Sequence, residues 1–342
     1  MAGDPATAVE HGAIGPGLRA AAAATLVLAM ACGGAPSSVA SPRASPSVPA
    51  SEKGALRIGV EALGAVAGAP LALGQQLGYF KDEGISAEEV PLSGSQAALD
   101  ALAGGIVDVV AGSYETVLRA QARGRAVQMI AVLTDYPGLV VEVGKKHEGQ
   151  VRSIRDLVGH PVGVPALGSP AEDILKYLQK QAGLATDSVP TVAAGAGSAS
   201  VALLRSDSIW ALATVDPIAA QVEQGGDGRP IYDTRTPSLA AAVWPGTWPA
   251  SGFLLTVDFA HQNPRTVQSL ARVAVRALKS MKAHPAPELA ADARIFSSDA
   301  LMPADGPGNV LDTLKVAEPR TDWSKVDLKR TYDNSYVKKV KV

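Results

Sequence analysis

Cysteine is almost missing. The 342-residue chain holds one, Cys32, so everything after it lacks a disulfide, a thiol nucleophile and a cysteine metal site. Long apolar runs are missing too. No segment beyond Cys32 is long and apolar enough for a membrane helix, which needs roughly 20 such residues. Neither sign of charge dominates: the net charge is −2. The only basic cluster is the tail Lys338-Lys339-Val340-Lys341, so nothing points to a nucleic-acid surface. His11, His147, His160, His261 and His284 are scattered, and no metal-ligand or paired-carboxylate spacing occurs. No cofactor, metal or catalytic residue is expected.

An apolar run is present near the start, Ala20 to Ala31, with Arg19 before it and Cys32-Gly33-Gly34 after it. It is too short to span a membrane and fits the apolar region of a secretory signal. Ala29-Met30-Ala31-Cys32 resembles the lipobox of bacterial lipoproteins, with Leu28 one place earlier than usual. On that reading residues 1–31 are a signal peptide, and Cys32 becomes the lipid-carrying first residue. The alternative is an ordinary secretory signal with an incidental cysteine. Residues 32–54 hold Pro36, Pro42, Pro46 and Pro49 among Ser and Ala. Such a stretch has too little apolar side chain to form a core and reads as a tether.

From Leu56 on, short β-rich runs alternate with helical ones. Strands are expected at 56–60, 85–90, 107–110, 127–133 and 139–143, then at 162–164, 189–192, 210–213 and 252–257. Helices are expected at 70–81, with Pro70 in the first turn, and at 95–103, 114–123, 170–182, 199–205, 217–224 and 264–284. In the last of these Val267, Leu270, Val273 and Leu278 recur near helical period. Residues 237–249 read as a loop. Alternation of this kind implies crossover units on a mostly parallel sheet, made twice.

Several segments then become recognisable. Gly78-Tyr79-Phe80-Lys81-Asp82-Glu83-Gly84-Ile85 resembles the GYFkdeGi segment of the substrate-binding proteins of ABC importers, in the branch that binds nitrate, aliphatic sulfonates, taurine and thiamine-pyrimidine precursors. Ala101 to Val109 (ALAGGIVDV), Ile154 to Val164 (IRDLVGHPVGV) and Asn263-Pro264 match further family segments in order. The resemblance covers about Leu56 to Ala290. One segment departs from it: Val215-Asp216-Pro217 lacks the aromatic that the family carries before its acid–Pro pair.

The resemblance implies an α/β, two-lobed periplasmic-binding-protein fold of type II. Each lobe is then a mostly parallel sheet flanked by helices, with two hinge crossings. Lobe one is expected at 55–142 plus 236–342, and lobe two at 143–235. Ligand would sit between the lobes, outside the carboxyl ends of the strands.

Four strand-to-helix loops carry Gly-Ser: Gly94-Ser95, Gly112-Ser113, Gly168-Ser169 and Gly197-Ser198. Helix N-termini there offer free N–H groups and partial positive charge to an anion or a polar group. Each Ser has an alternative role as the cap of its own helix, and Ser169-Pro170-Ala171-Glu172 has the form of a capping box. Leu63, Gly64, Tyr114, Asp135, Tyr136, Asp216 and Trp244 are further ligand candidates by loop position. Asp216 is equally a helix cap before Pro217, and Trp244 equally a packing plug in a Pro-rich loop. Glu61 and Asp135 could receive an amine, but with few acids in these loops an anionic or neutral ligand is the expectation.

The resemblance thus implies an extracytoplasmic binding lipoprotein, held at the membrane by its lipid alone. As a monomer it would deliver a sulfonate, nitrate-like or pyrimidine-like solute to ABC permease subunits. The alternatives are an enzyme on the same fold, in thiamine-pyrimidine or menaquinone biosynthesis, and a ligand-sensing module. The pyrimidine enzymes use a cysteine-rich motif, which the chain after Cys32 lacks.

Overall fold

β-Branched runs and their turn residues fold into two five-stranded sheets among the described residues of the computed structural model, which are 50–61, 64–284 and 292–341. The chain first lays down β1 (Ala55–Glu61), β2 (Ser86–Leu92), β3 (Val109–Ser113) and β4 (Val127–Thr134). It then crosses to a second sheet with β5 (Val140–Gly144), β6 (Val162–Val164), β7 (Thr191–Ala193), β8 (Ala211–Thr214) and β9 (Gly228–Asp233). It returns with β10 (Ser251–Thr256).

The strand orders are β2-β1-β3-β10-β4 and β7-β6-β8-β5-β9, the same pattern made twice. In each sheet the strand that follows a crossing, β5 or β10, lies antiparallel to both neighbours. The first passage between sheets ends at Val140. That is ahead of the 142/143 boundary expected from sequence, because Val140 to Val143 pair with Thr214 to Ala211 of β8.

The helices are α1 (Gly64–Gln76), α2 (Tyr79–Asp82), α3 (Ser95–Ala103), α4 (Tyr114–Ala122), α5 (Pro170–Gln181) and α6 (Ser198–Arg205). They continue with α7 (Ile218–Gly225), α8 (Pro237–Ala240), α9 (Val257–Gln262), α10 (Pro264–Ala283), α11 (Gly306–Ala317) and α12 (Ser335–Lys338). The single helix expected at 70–81 is two. α1 starts six residues before Pro70, and Gly78 at φ 74° breaks it from α2; that left-handed backbone suits glycine. β9 holds Pro230 and was not expected. It is an edge strand, where a missing N–H costs no ladder bond.

Alternate residues of the first sheet feed two cores. Val109, Ala111, Phe253 and Leu255 face α1, α2 and α10, against Leu71, Phe80, Val267 and Leu270. Val110, Met129 and Leu254 face the other way. There they join a core that runs on without a break into the second sheet, through Trp244, Trp248 and Leu314 to Val141, Val143 and Leu178. α11, from the chain that returns to the first sheet, packs on α5 of the second. No helix among the described residues is long and apolar enough to cross a membrane.

Candidate functional site

The carboxyl ends of β3, β4, β8 and β9 lie beside the two passages. At β3, Gly112 is required by a close approach: a Cβ there would lie 2.8 Å from Glu61 Cδ. The room lets Glu61 reach past the strand. Its Oε2 accepts the Ser113 N–H at 2.9 Å and its Oε1 accepts the Thr116 hydroxyl at 2.7 Å. Burial pushes the Glu61 carboxyl up, opposed by these two partners. Ser113 turns its hydroxyl to Thr116 at 3.1 Å. Tyr114 is fully buried, with its hydroxyl on Thr331. Both side chains are committed to their own fold.

Asp135 follows β4 and is half-buried; its Oδ1 has no hydrogen-bond partner among the described residues. Burial pushes its carboxyl up to about 6, with a bond from Ser297 opposing. Its N–H donates to Ile295 O at 2.7 Å. Tyr136 packs with Val66, Ala240 and Ile295. Gly94 and Ser95 sit half-buried at the start of α3, and Gly64 opens α1. Leu63 and Cys32 lie outside the described residues.

In the second sheet the capping box at Ser169 is only half made. Glu172 accepts the Gly168 N–H at 2.5 Å and the Thr191 hydroxyl at 2.8 Å. Ser169 caps nothing, and its buried Oγ is without a partner among the described residues. Asp216, after β8, is 4 % exposed and does cap its helix, accepting the Ala220 N–H at 2.8 Å.

Arg235, just past β9, ties this corner together. Its guanidinium meets Asp233 at 2.7 Å, Glu223 at 2.6 Å and Asp216 at 3.4 Å. Asp292, 1 % exposed, comes from the returning chain and faces the Asp216 carboxyl. Glu142, on β5, faces Glu223 in the same way. Burial first, and the opposing carboxyl second, push Asp292 and Glu142 each up to about 8.

A second arginine joins the two sheets directly. Arg119 on α4 meets Asp173 on α5 at 2.5 Å and Glu318, just after α11, at 2.7 Å. Glu115 stands 3.4 Å away; burial, with Asp173 adding to it against Arg119, pushes its carboxyl up to about 8. Trp244, a ligand candidate by loop position and equally a packing plug, is the plug. It is fully buried between Tyr177 and Trp248. The indole N–H groups of Trp244 and Trp248 both donate to Thr313 Oγ1, at 3.1 and 3.2 Å.

The structure therefore gathers Asp135, Tyr136 and Asp216 near the passages and adds Arg235, Asp292 and Glu142. Ser113, Tyr114 and Trp244 are spent on packing.

The model of the family described as NMT1/THI5 like matches residues 67–288. The chain belongs to that family. A solved protein of Bordetella bronchiseptica RB50 is 30 % identical over 84 % of this chain and 97 % of its own, with a TM-score of 0.76. The alkanesulfonate-binding protein SsuA of Xanthomonas axonopodis pv. citri, bound to MOPS, is 17 % identical over 84 % of this chain and 100 % of its own, with a TM-score of 0.64. A Candida albicans protein with the generic periplasmic binding protein fold is 18 % identical over 82 % and 96 %, with a TM-score of 0.61. The last two show the fold, which this NMT1/THI5-like chain shares. No curated protein matches it.

The raised carboxyls of this NMT1/THI5-like chain set its response to pH. Glu142 has an ordinary value of 4.5 and one of about 8 in the fold. The folded state therefore holds a proton that the unfolded state gives up, and stability falls as pH rises from about 4.5 to about 8. Glu142→Gln keeps the shape and supplies a donor to Glu223. Its expected effect is a shallower fall, by up to about 1.4 kcal/mol per pH unit for one proton. Urea midpoints across that range measure it, and an unchanged slope would contradict the assignment.

Proposed function

We propose that this chain is the extracytoplasmic solute-binding component of an ABC importer, and that it binds rather than converts a small polar organic ligand. One observation carries the reading. Two sheets of the same strand order are joined by two passages, 135–139 and 234–250, and side chains carried by the two sheets meet, Arg119 of α4 on Asp173 of α5. The passages act as the hinge, and function is a shift of population between open and closed lobes. Family membership supports the reading. So do structural relatives that are themselves alkanesulfonate- and nitrate-binding periplasmic proteins. An enzyme of the pyrimidine type is disfavoured, since no cysteine follows Cys32. Mass spectrometry of small molecules released from freshly purified, undialysed protein tests it. One solute per chain is expected; protein that releases none, at any step of purification, would count against binding.

Cys32 is proposed as a lipid anchor that keeps the protein, as a monomer, beside its permease at the outer face of the cytoplasmic membrane. Stable anchoring takes two lipid signals, since each buried CH₂ contributes about 0.8 kcal/mol. Cys32→Ala should bind solute normally and move from the membrane to the soluble fraction. Wild type that already fractionates as soluble would remove the anchor.

A further inference from the structure

We infer that the end of lobe one that receives the tether is a surface for anionic lipid headgroups, built from exposed cations of the C-terminal segment. This rests on the reading of Cys32 as an anchor and adds where the folded part meets the membrane.

The segment is charged in one sense. Residues 329–341 carry five cations, Lys329, Arg330, Lys338, Lys339 and Lys341, against one acid, Asp333, in a chain whose net charge is −2. The fold turns these cations outward. Val337 is buried in the core beneath α10, and Tyr336 and Val340 pack against that core. Lys338, Lys339 and Lys341 are left exposed, as are Lys329 and Arg330. None of the five has an ion pair among the described residues. Lys339 lies 5.6 Å over the Tyr336 ring, which leaves its charge in solvent. The neighbouring Lys53, Arg57 and Arg265 differ, since Asp108 and Glu52 hold them. Unpaired like charges on one short segment repel one another, and a negative surface relieves that repulsion.

What faces this surface follows from the tether. Glu52, two residues into the described chain, is tied to the start of α10, where it accepts the N–H groups of Arg265 and Thr266 at 3.0 and 2.7 Å. Gln268, in the same turn of α10, donates to Tyr336 O at 2.9 Å. The tether and the lysine segment therefore meet the fold at one place. Residues 33–49 separate Cys32 from it, and a coil of that length spans about 20–25 Å. A lipid on Cys32 holds this end of lobe one, rather than the second sheet, beside the headgroups. Tethering makes the contact intramolecular, so a weak surface suffices. Its reach is short, roughly 8 Å at physiological salt. The exposed residues of the segment are Lys329, Arg330, Ser335, Lys338, Lys339 and Lys341, with no apolar anchor for a protein partner to bury. A charged membrane needs none.

The test uses the lipid-free Cys32→Ala chain from the soluble fraction and two kinds of vesicle, phosphatidylcholine alone and phosphatidylglycerol with phosphatidylcholine in equal parts. Sedimentation with the vesicles reads binding. The expected result is binding to the anionic vesicles only, lost as salt is raised. Lys338→Gln, Lys339→Gln and Lys341→Gln together should weaken it about a hundredfold, about fivefold for each charge. Lys145→Gln, Lys146→Gln and Lys180→Gln, exposed around the second sheet, remove the same charge and should leave binding unchanged. Urea midpoints check that both variants fold. No binding to the anionic vesicles, equal binding to both kinds, or equal weakening by the two triple variants would overturn the inference. So would binding to heparin without binding to vesicles, which would make the partner a soluble polyanion. Wild type that fractionates as soluble removes the anchor at Cys32, a failure that the vesicle assay, made without lipid on the chain, does not share.

Discussion

Arg119→Met should be the most destabilising single change outside the apolar core, at about 3–5 kcal/mol. Arg119 is 7 % exposed and reaches from α4 to Asp173 on α5 and to Glu318 beyond α11. Removing it takes away the only cation in contact with Asp173, 2 % exposed, among the described residues and leaves just the weaker field of Lys176. The loss is that of an unpaired buried charge, not the worth of the pair. Two outcomes follow. Asp173→Asn added to Arg119→Met should recover part of the loss, a coupling that a double-mutant cycle reads. Arg119→Lys should recover little, because an ammonium cannot serve two carboxylates in the fork geometry of a guanidinium. Urea midpoints at pH 7 measure all three. A loss below about 1 kcal/mol for Arg119→Met would place the pair among ordinary surface bridges.

Trp244→Ala should cost about 3–5 kcal/mol through the cavity it leaves. The ring is fully buried, 5.3 Å from Trp248 and 6.3 Å from Tyr177 by centroid. Tyr177 belongs to α5, so the cavity would open between the sheets rather than within one. Thr313→Val is the sharper companion. It preserves volume but leaves two buried indole N–H groups unmet, at about 1–3 kcal/mol each. A neutral Thr313→Val would show that water reaches those indoles.

Much of the fold is legible in the sequence because its strands are short β-branched runs between turn residues. Val127–Thr134 and Val140–Gly144 announce themselves in that way, as does α10 with its helical spacing. β9 does not, since Gly-Arg-Pro-Ile-Tyr-Asp reads as a turn, and only its place at a sheet edge makes Pro230 harmless. The start of α1 is hidden for another reason. Its first turns are Ala and Gly with little periodicity, so Pro70 looks like a helix start when it lies inside one.

The site is less legible, because its partners are distant in the chain. Asp135 and Asp216 can be placed by loop position alone. Asp292 cannot: it carries no motif, and its meaning comes from facing Asp216 across the lobes. Arg235 gives no signal either, being one of many arginines until the fold puts three carboxylates on it. The expectation of few acids therefore fails for a topological reason, since the acids converge only when the returning chain meets the second sheet. Trp244 was open between stacking on ligand and plugging a core, and its contacts with Tyr177, Trp248 and Thr313 decide for the core.

Closure on a solute is tested most directly by the distance between the lobes. Ile106, ahead of β3, and Val158, ahead of β6, are 56 % and 44 % exposed at the amino ends of strands in different sheets. With Cys32 replaced by Ser, the pair Ile106→Cys and Val158→Cys takes two spin labels, and pulsed dipolar spectroscopy reads their separation. Adding the solute recovered from the native protein should turn a broad distribution into a single narrow one at a different distance. Distributions that coincide with and without solute would contradict closure, and with it the account of this chain as a solute-binding protein.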